Sequence, residues 1–341
     1  MRIGLATDPR FRAHRAPGEH PERPARLEAI EGELEAAGLR ARMVERSTRE
    51  ASRAQLERAH EGRYLDELER RLAGASEGGW LDDDTFYSAG SWEAALLAAG
   101  TVTELAQAVA RRELDGALAL VRPPGHHATA RRAMGFCLIN NVAVAAAGLV
   151  ADGARVAIVD FDVHHGNGTQ DIFFGDGRVL YCSSHQSPLY PGTGAVEERG
   201  EGRGRGATVN VPLPSGAGDE ALLAAYDEVV LPAIERFRPD VLLASAGFDA
   251  HADDPLASLR VTERGFARLA RRLRQACGAF VFTLEGGYDL GALGRSVAAV
   301  AGALLDEREP EREAPGVLRP VERAAIDRAR ASLADVPVPA P

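Results

Sequence analysis

The chain has 341 residues, 45% of them apolar, with a net charge of −10 and no apolar run of about 18 residues or more. That composition supports a sizeable folded core. It excludes a disordered chain, a membrane span and a nonspecific nucleic-acid binder, whose phosphate contacts need clustered basic residues, and its acidity favours cationic ligands.

Met1–Pro9 carries neither an apolar h-region nor a cleavage-site pattern, so secretion by that route is not expected. Leu27, Ile30 and Leu34, at spacings of three and four, predict a helix over Pro24–Gly38 that ends at the glycine. Trp92–Arg111 predicts a second, Ala-rich helix. Short apolar runs then alternate with helical stretches: Ala117–Val121, Val156–Val159, Val179–Cys182, Val241–Ala244 and Ala279–Leu284. Continuous apolar strands separated by helices predict an α/β fold whose parallel sheet is buried on both faces. Gly200–Gly206 reads as a flexible surface loop. Asp306–Glu313 is charged and contains proline, Pro320–Leu333 forms an amphipathic helix, and Val336–Pro341 is a frayed tail. No repeat occurs and no linker separates two cores. Residues 1–310 therefore read as one domain, with 311–341 a C-terminal helix and tail packed partly on it.

Cys137, Cys182 and Cys277 lie far apart and outside CxxC spacing. They read as small core residues in a reducing cytoplasm, not as a disulfide scaffold or a thiolate metal site. Self-association is left open.

Four of the five apolar runs lead straight into chemistry-bearing residues. Ala117–Val121 runs into Arg122-Pro-Pro-Gly-His126-His127, and Val156–Val159 into Asp160-Phe-Asp162-Val-His164-His165-Gly-Asn167. Val241–Ala244 leads to Ser245-Ala-Gly-Phe-Asp249, and Ala279–Leu284 to Glu285-Gly-Gly-Tyr288. Ligands of open parallel sheets bind outside the carboxyl ends of the strands. Any one of these clusters has an ordinary structural reading as a cap, a salt bridge, a packed histidine or a packed tyrosine. Four in one chain point to a site.

Asp160, Asp162 and His164 alternate along what reads as an extended segment, so their side chains share one side. Carboxylates and an imidazole held together call for a cation, and Asp249 completes the set. One His and two Asp make a three-ligand catalytic zinc site with a coordination position left open. His126 and His127 follow a rigid Pro-Pro-Gly turn. A neutral histidine beside such a centre is a good general base near neutral pH. Tyr288, after Gly286 and Gly287, offers a phenol opposite the metal to hold an oxyanion.

The motifs RPPGHHA, GFCLINNVA, DFDVHHGNGTQ, SPLYPGTG, SAGFDAHADDPL and LEGGYD together resemble the histone deacetylase and acetylpolyamine amidohydrolase family, its class II-like bacterial members most closely. The match runs from His20 to Tyr288. It implies the arginase/deacetylase fold, a single α/β domain with a central parallel sheet of about eight strands flanked by helices. It implies one catalytic zinc ion held by Asp162, His164 and Asp249. His127 matches the general acid/base, His126 its electrostatic partner, Asp160 the acceptor behind His126, and Tyr288 the transition-state tyrosine. One or two structural potassium ions are implied, the first at Asp160, Asp162, His164, Ser183 and Ser184, the second at Phe173, Asp176 and Val179. Gly135, Phe136 and Tyr190 match the walls of an acyl-lysine tunnel. Arg26 matches an arginine near an interior channel.

Two departures bear on activity. Asn167 stands where class I members carry Asp, which leaves His127 less supported as a cation. Leu256 stands where polyamine-preferring relatives place Glu, so the rim lacks that charge, although Asp82-Asp83-Asp84 resembles an acidic rim loop. The chain also lacks the long N-terminal insertion of acetylpolyamine amidohydrolases. The expected activity is deacylation of acyl-lysine or a small acylamide, with acetylpolyamines as runner-up. An arginase-type ureohydrolase and a non-catalytic acyl-lysine binder are the remote alternatives.

Overall fold

The computed structural model describes residues 1–306 and 316–339. Ten strands follow in chain order: β1 (Ile3–Ala6), β2 (Val44–Glu45), β3 (Gly79–Trp80), β4 (Phe86–Tyr87), β5 (Gly116–Ala119), β6 (Val156–Asp160), β7 (Val179–Gln186), β8 (Thr208–Leu213), β9 (Val241–Ala246) and β10 (Phe280–Leu284). Eight of them form one sheet in the order β2-β1-β5-β10-β9-β6-β7-β8, every pair parallel, and β3 and β4 form a separate antiparallel hairpin. Every residue of β5, β6, β9 and β10 is buried, which is why those strands read as unbroken apolar runs.

Helices carry the crossovers between parallel strands. Ser91–Ala110 packs against Asn141–Ala151, while Ala25–Ala36 and Glu263–Ala276 both pack against Leu290–Leu305. The Asn141–Ala151 helix starts at Asn140, whose side chain accepts the Ala143 N–H at 2.9 Å. Among the described residues no helix is long and apolar enough to cross a membrane.

The strand order decides where the chemistry lies. β5, β10, β9 and β6, the four strands that run into the polar clusters, are consecutive neighbours at the centre of the sheet. Register aligns their ends: Asp160 lies beside Ser245 on β9 and Ser183 on β7, and Thr283 on β10 lies beside Ala119 on β5.

Several expectations need correction. β6 ends at Asp160, so Asp162 and His164 do not continue an extended strand. The Asp160 carboxylate accepts the Asp162 N–H at 3.2 Å, and the Asp162 carboxylate accepts the His164 N–H at 2.9 Å. These side-chain-to-backbone bonds curl the segment into a loop. Gly200–Gly206 does lie at the surface, with Glu201, Gly202, Arg203 and Arg205 exposed, but it contains a 3₁₀ turn at Gly202–Gly204, and Gly204 and Gly206 are buried. The tail is not frayed as far as Pro339. Arg199 Nη2 donates to Val336 O at 2.6 Å, Arg236 Nε donates to Val338 O, and the Val338 side chain is buried. Ala340, Pro341 and nearly all of the charged stretch Asp306–Glu313, including the boundary placed at residue 310, lie outside the described residues.

Candidate metal centre and catalytic site

Each strand end delivers one part of the site. After β5, the Arg122-Pro-Pro-Gly turn is pinned at both ends. Arg122 is fully buried, with both Nε and Nη2 donating to Glu22. The backbone N–H groups of Gly125 and His126 donate to Glu285 Oε2 at 2.6 and 3.2 Å. After β10, the Gly286 N–H donates to Asp162 Oδ2 at 2.8 Å. A Cβ at Gly286 would lie 2.1 Å from Asp249 Oδ2 and 2.6 Å from Asp162 Oδ2, so only glycine fits beside the two carboxylates. The first glycine of the Gly-Gly-Tyr turn therefore serves the acidic cluster more directly than it serves the tyrosine.

That cluster is Asp162, His164 and Asp249, whose ligating atoms all lie within 4.8 Å of one another. His164 Nδ1 is 3.1 Å from Asp162 Oδ1 and 3.2 Å from Asp249 Oδ2. Burial works against a charged His164, but the two carboxylates outweigh it and raise the imidazole to about 10. Burial, reinforced by Asp162, pushes Asp249 up to about 7. In the protein alone, the two buried carboxylates are faced by the backbone N–H groups of Val163, His164 and Gly286 and by the His164 imidazole. A divalent cation bound by two oxygens and one nitrogen fits this donor set and displaces the imidazole proton. The three residues thus fit a metal with room for further ligands.

Beside this cluster stand two histidines with opposite tendencies. His126 Nδ1 lies 3.0 Å from Asp160 Oδ2. Burial disfavours its cation, yet Asp160 and Asp162 raise His126 well above the ordinary histidine value. His127, with its ring centroid 4.0 Å from that of His126, is held well below it by burial and then by the neighbouring charges of His126 and His164. Its Nδ1 lies 2.8 Å from Asn167 Oδ1, and Asn167 Nδ2 donates to Met134 Sδ at 3.4 Å, which orients the amide. Adjacent titratable groups driven apart in this way assign the cation to His126 and the neutral base to His127. Gly135 backs His127: it has φ +57°, and a Cβ there would meet the imidazole at 2.4 Å.

Aromatic rings flank the cluster. Tyr190 stands edge-on to His127 and His164, with centroids 5.2 and 6.2 Å away. Phe136, whose φ is +68°, stands edge-on to Tyr288 at 5.8 Å, and the Arg26 guanidinium lies 5.1 Å from the Tyr288 ring centre. Burial, then the charge of Asp249, raises the Tyr288 phenol well above its ordinary value, so it stays a hydrogen-bond donor. Leu256 is half-buried in the loop after β9. Ser183 and Ser184 are buried on β7 next to the end of β6. Phe173, Asp176 and Val179 form a turn at the opposite end of β7 and take no part in the cluster.

Three carboxylates have roles that the sequence pattern does not assign. Glu22, Asp254 and Glu285 are buried and hold the turns that carry Arg122, Tyr288 and His126. Glu285 carried a signal, since it directly follows the apolar run of β10. His126, Cys137 and Glu285 also converge. There, however, Glu285 already accepts three hydrogen bonds, from Gly125, His126 and the Ser245 hydroxyl, and Cys137 Sγ donates to Gly135 O at 3.3 Å. That triplet is a hydrogen-bonded scaffold.

Residues 20–304 match the histone deacetylase domain. The chain is 40% identical to a probable deacetylase of Archaeoglobus fulgidus, across 98% of this chain and 97% of that protein. It is 42% identical to a histone deacetylase-like amidohydrolase of Pseudomonas aeruginosa, across 79% of this chain and 72% of the other. The crystal structure of the HDA15 HD domain superposes with a TM-score of 0.89 at 38% identity, covering 98% of this chain and 95% of that one.

Proposed function

The chain belongs to the histone deacetylase family, a family of amide-bond hydrolases, and from that premise we propose that it is a zinc-dependent deacetylase releasing acetate or another acyl group from acyl-lysine or a small acylamide. The observation that carries this reading is the convergence of Asp162, His164 and Asp249, with the His127 ring centre 6.0 Å from that of His164. A divalent cation held by those three ligands supplies Lewis acidity toward a carbonyl and toward water.

The chain's own groups do the rest. His127 donates its Nδ1–H to Asn167 Oδ1, which leaves Nε2 as the acceptor for a proton from the attacking water. The same Nε2 then returns the proton to the leaving amine. His126, kept cationic by Asp160, holds His127 neutral until that proton arrives. Tyr288 donates its O–H to the oxyanion that develops on the amide carbonyl. Phe136 and Tyr190 flank the alkyl stem of the acylated amine with flat apolar faces. The first structural potassium ion is assigned to Asp160, Asp162, His164, Ser183 and Ser184. The second is assigned to Phe173, Asp176 and Val179. The three buried thiols, unpaired among the described residues, fit a reducing cytoplasm.

Leu256 puts no charge at the rim. The acidic run is offset in part by Arg132, whose Nη2 lies 3.8 Å from Asp82 Oδ2, and Asp82 Oδ1 is turned to the N–H groups of Asp84 and Thr85. Acyl-lysine or a small acylamide is therefore favoured over a polycationic chain. The test compares kcat/KM for acetyl-lysine peptides, small acylamides and acetylated polyamines at physiological salt. The peptide or small amide is expected to lead. A preference above about tenfold for the polyamine, roughly 1.4 kcal/mol of transition-state binding, would overturn the substrate assignment.

A further inference from the structure

Asp254 lies in the rim loop that follows β9 and is only 7% exposed. Its carboxylate has three partners, all of them backbone N–H groups. Oδ1 accepts from Leu256 at 3.0 Å, while Oδ2 accepts from Tyr288 at 2.7 Å and from Asp289 at 3.4 Å. Among the described residues, no basic side chain pairs with it. A buried carboxylate balanced only by amide dipoles is costly to keep ionised, and burial does push Asp254 upward. Its position explains the cost. The two oxygens join two separate loops, one carrying the rim residue Leu256 and the other carrying Tyr288.

The tyrosine turn needs such an anchor. It is built on Gly286 and Gly287, the second at φ +118°, and glycine restricts the chain less than any other residue. Local propensity therefore does not fix where the Tyr288 backbone sits. Asp162 holds the turn at the Gly286 N–H and Arg26 Nε at the Gly287 carbonyl, both ahead of the tyrosine, while Asp254 holds it at Tyr288 itself.

We propose that Asp254 is a positioning residue, which fixes the backbone of Tyr288 so that its hydroxyl meets the oxyanion and ties the substrate rim at Leu256 to that same point. This rests on the assignment of Tyr288 as the oxyanion donor. Asp254→Asn keeps the shape but replaces one acceptor with an amide that faces an N–H. A displacement of about 1 Å at a reacting group costs on the order of 10²-fold, so D254N is expected to lose about tenfold to a hundredfold in kcat. Its metal content should be unchanged, and KM should move by less than about threefold.

A double-mutant cycle on the zinc-loaded full chain is the test. Tyr288→Phe alone is expected to cost about 10²–10³ in kcat. In the Y288F background, D254N should cost less than about twofold, because the group it positions is already gone. The same loss in both backgrounds, a loss confined to KM, or loss of metal from D254N would overturn the proposal. Normal turnover by Y288F would instead remove the tyrosine from the mechanism, which is a separate failure. Should D254N not fold, Asp254→Ser goes through the same cycle. Failure of both variants to fold would also overturn the proposal, since the carboxylate would then be needed for the fold itself.

Discussion

Two buried ionic clusters sit at the carboxyl ends of the same central strands, and they are balanced in opposite ways. In one, the Glu22 carboxylate takes two hydrogen bonds from Arg122, while Arg26 Nη1 approaches it at 3.2 Å. Two guanidiniums thus face one carboxylate. Arg122 and Arg26 spend their remaining donors on the carbonyls of Phe11, His14, Gly287 and Glu285. Burial alone would raise Glu22, but Arg122 outweighs it and holds the acid at about 2. In the other cluster, Asp162 and Asp249 share the His164 imidazole, with His126 Nε2 lying 3.9 Å from Asp162, and Asp249 is pushed up to about 7. The first cluster is closed by the protein's own charges. The second is left open by one cation, and that opening is what distinguishes a site from a scaffold.

Breaking each cluster should therefore give different failures. Asp249→Ala is expected to remove bound metal and activity together. That loss would be several kcal/mol of transition-state stabilisation, on the order of 10³ or more in kcat, read by metal analysis beside turnover. Arg122→Met should leave metal stoichiometry intact but strand part of a buried charge, at a cost of about 3–5 kcal/mol in a denaturant titration. The sign follows from Glu22. A carboxyl depressed from 4.5 to about 2 contributes stability that is present above pH 4.5 and lost as pH falls toward 2. Without Arg122 the depression shrinks, and acid unfolding should begin at higher pH. An R122M protein that loses its metal but keeps its stability would reverse the comparison.

A smaller effect sharpens it. Asn167→Asp places an anion 2.8 Å from His127 Nδ1 and so favours the imidazolium. A base must be neutral to act, so the acid limb of kcat/KM should move upward by about one pH unit or more. An unmoved limb would mean that His127 is not the titrating base.

The open cluster was more legible in the sequence than the closed one. Asp162, His164 and Asp249 each follow an apolar run closely, and that proximity marks a strand end wherever the strand lies in the sheet. The convergence of β5, β10, β9 and β6 was not readable, because strand order depends on crossovers that no local pattern encodes. β2 and β8 gave little signal, since β2 spans two exposed residues and β8 interleaves Thr208, Asn210 and Pro212 with its apolar residues; β1, four buried residues like β5, offered the same apolar signal as that strand. Glu22 and Asp254 carried no local signal, since one meets an arginine and the other a tyrosine amide far along the chain. Glu285 stood at a strand end, but two of its three partners are backbone amides, which no residue type announces.

The most direct test is a zinc titration of chelator-treated protein, following deacetylase activity and bound metal together. The expected result is activity that rises from near zero and saturates at one equivalent per chain, with Asp249→Ala inactive throughout. Full activity without metal, or saturation only at two tightly bound equivalents, would contradict the assignment of a single open acidic cluster as the active centre.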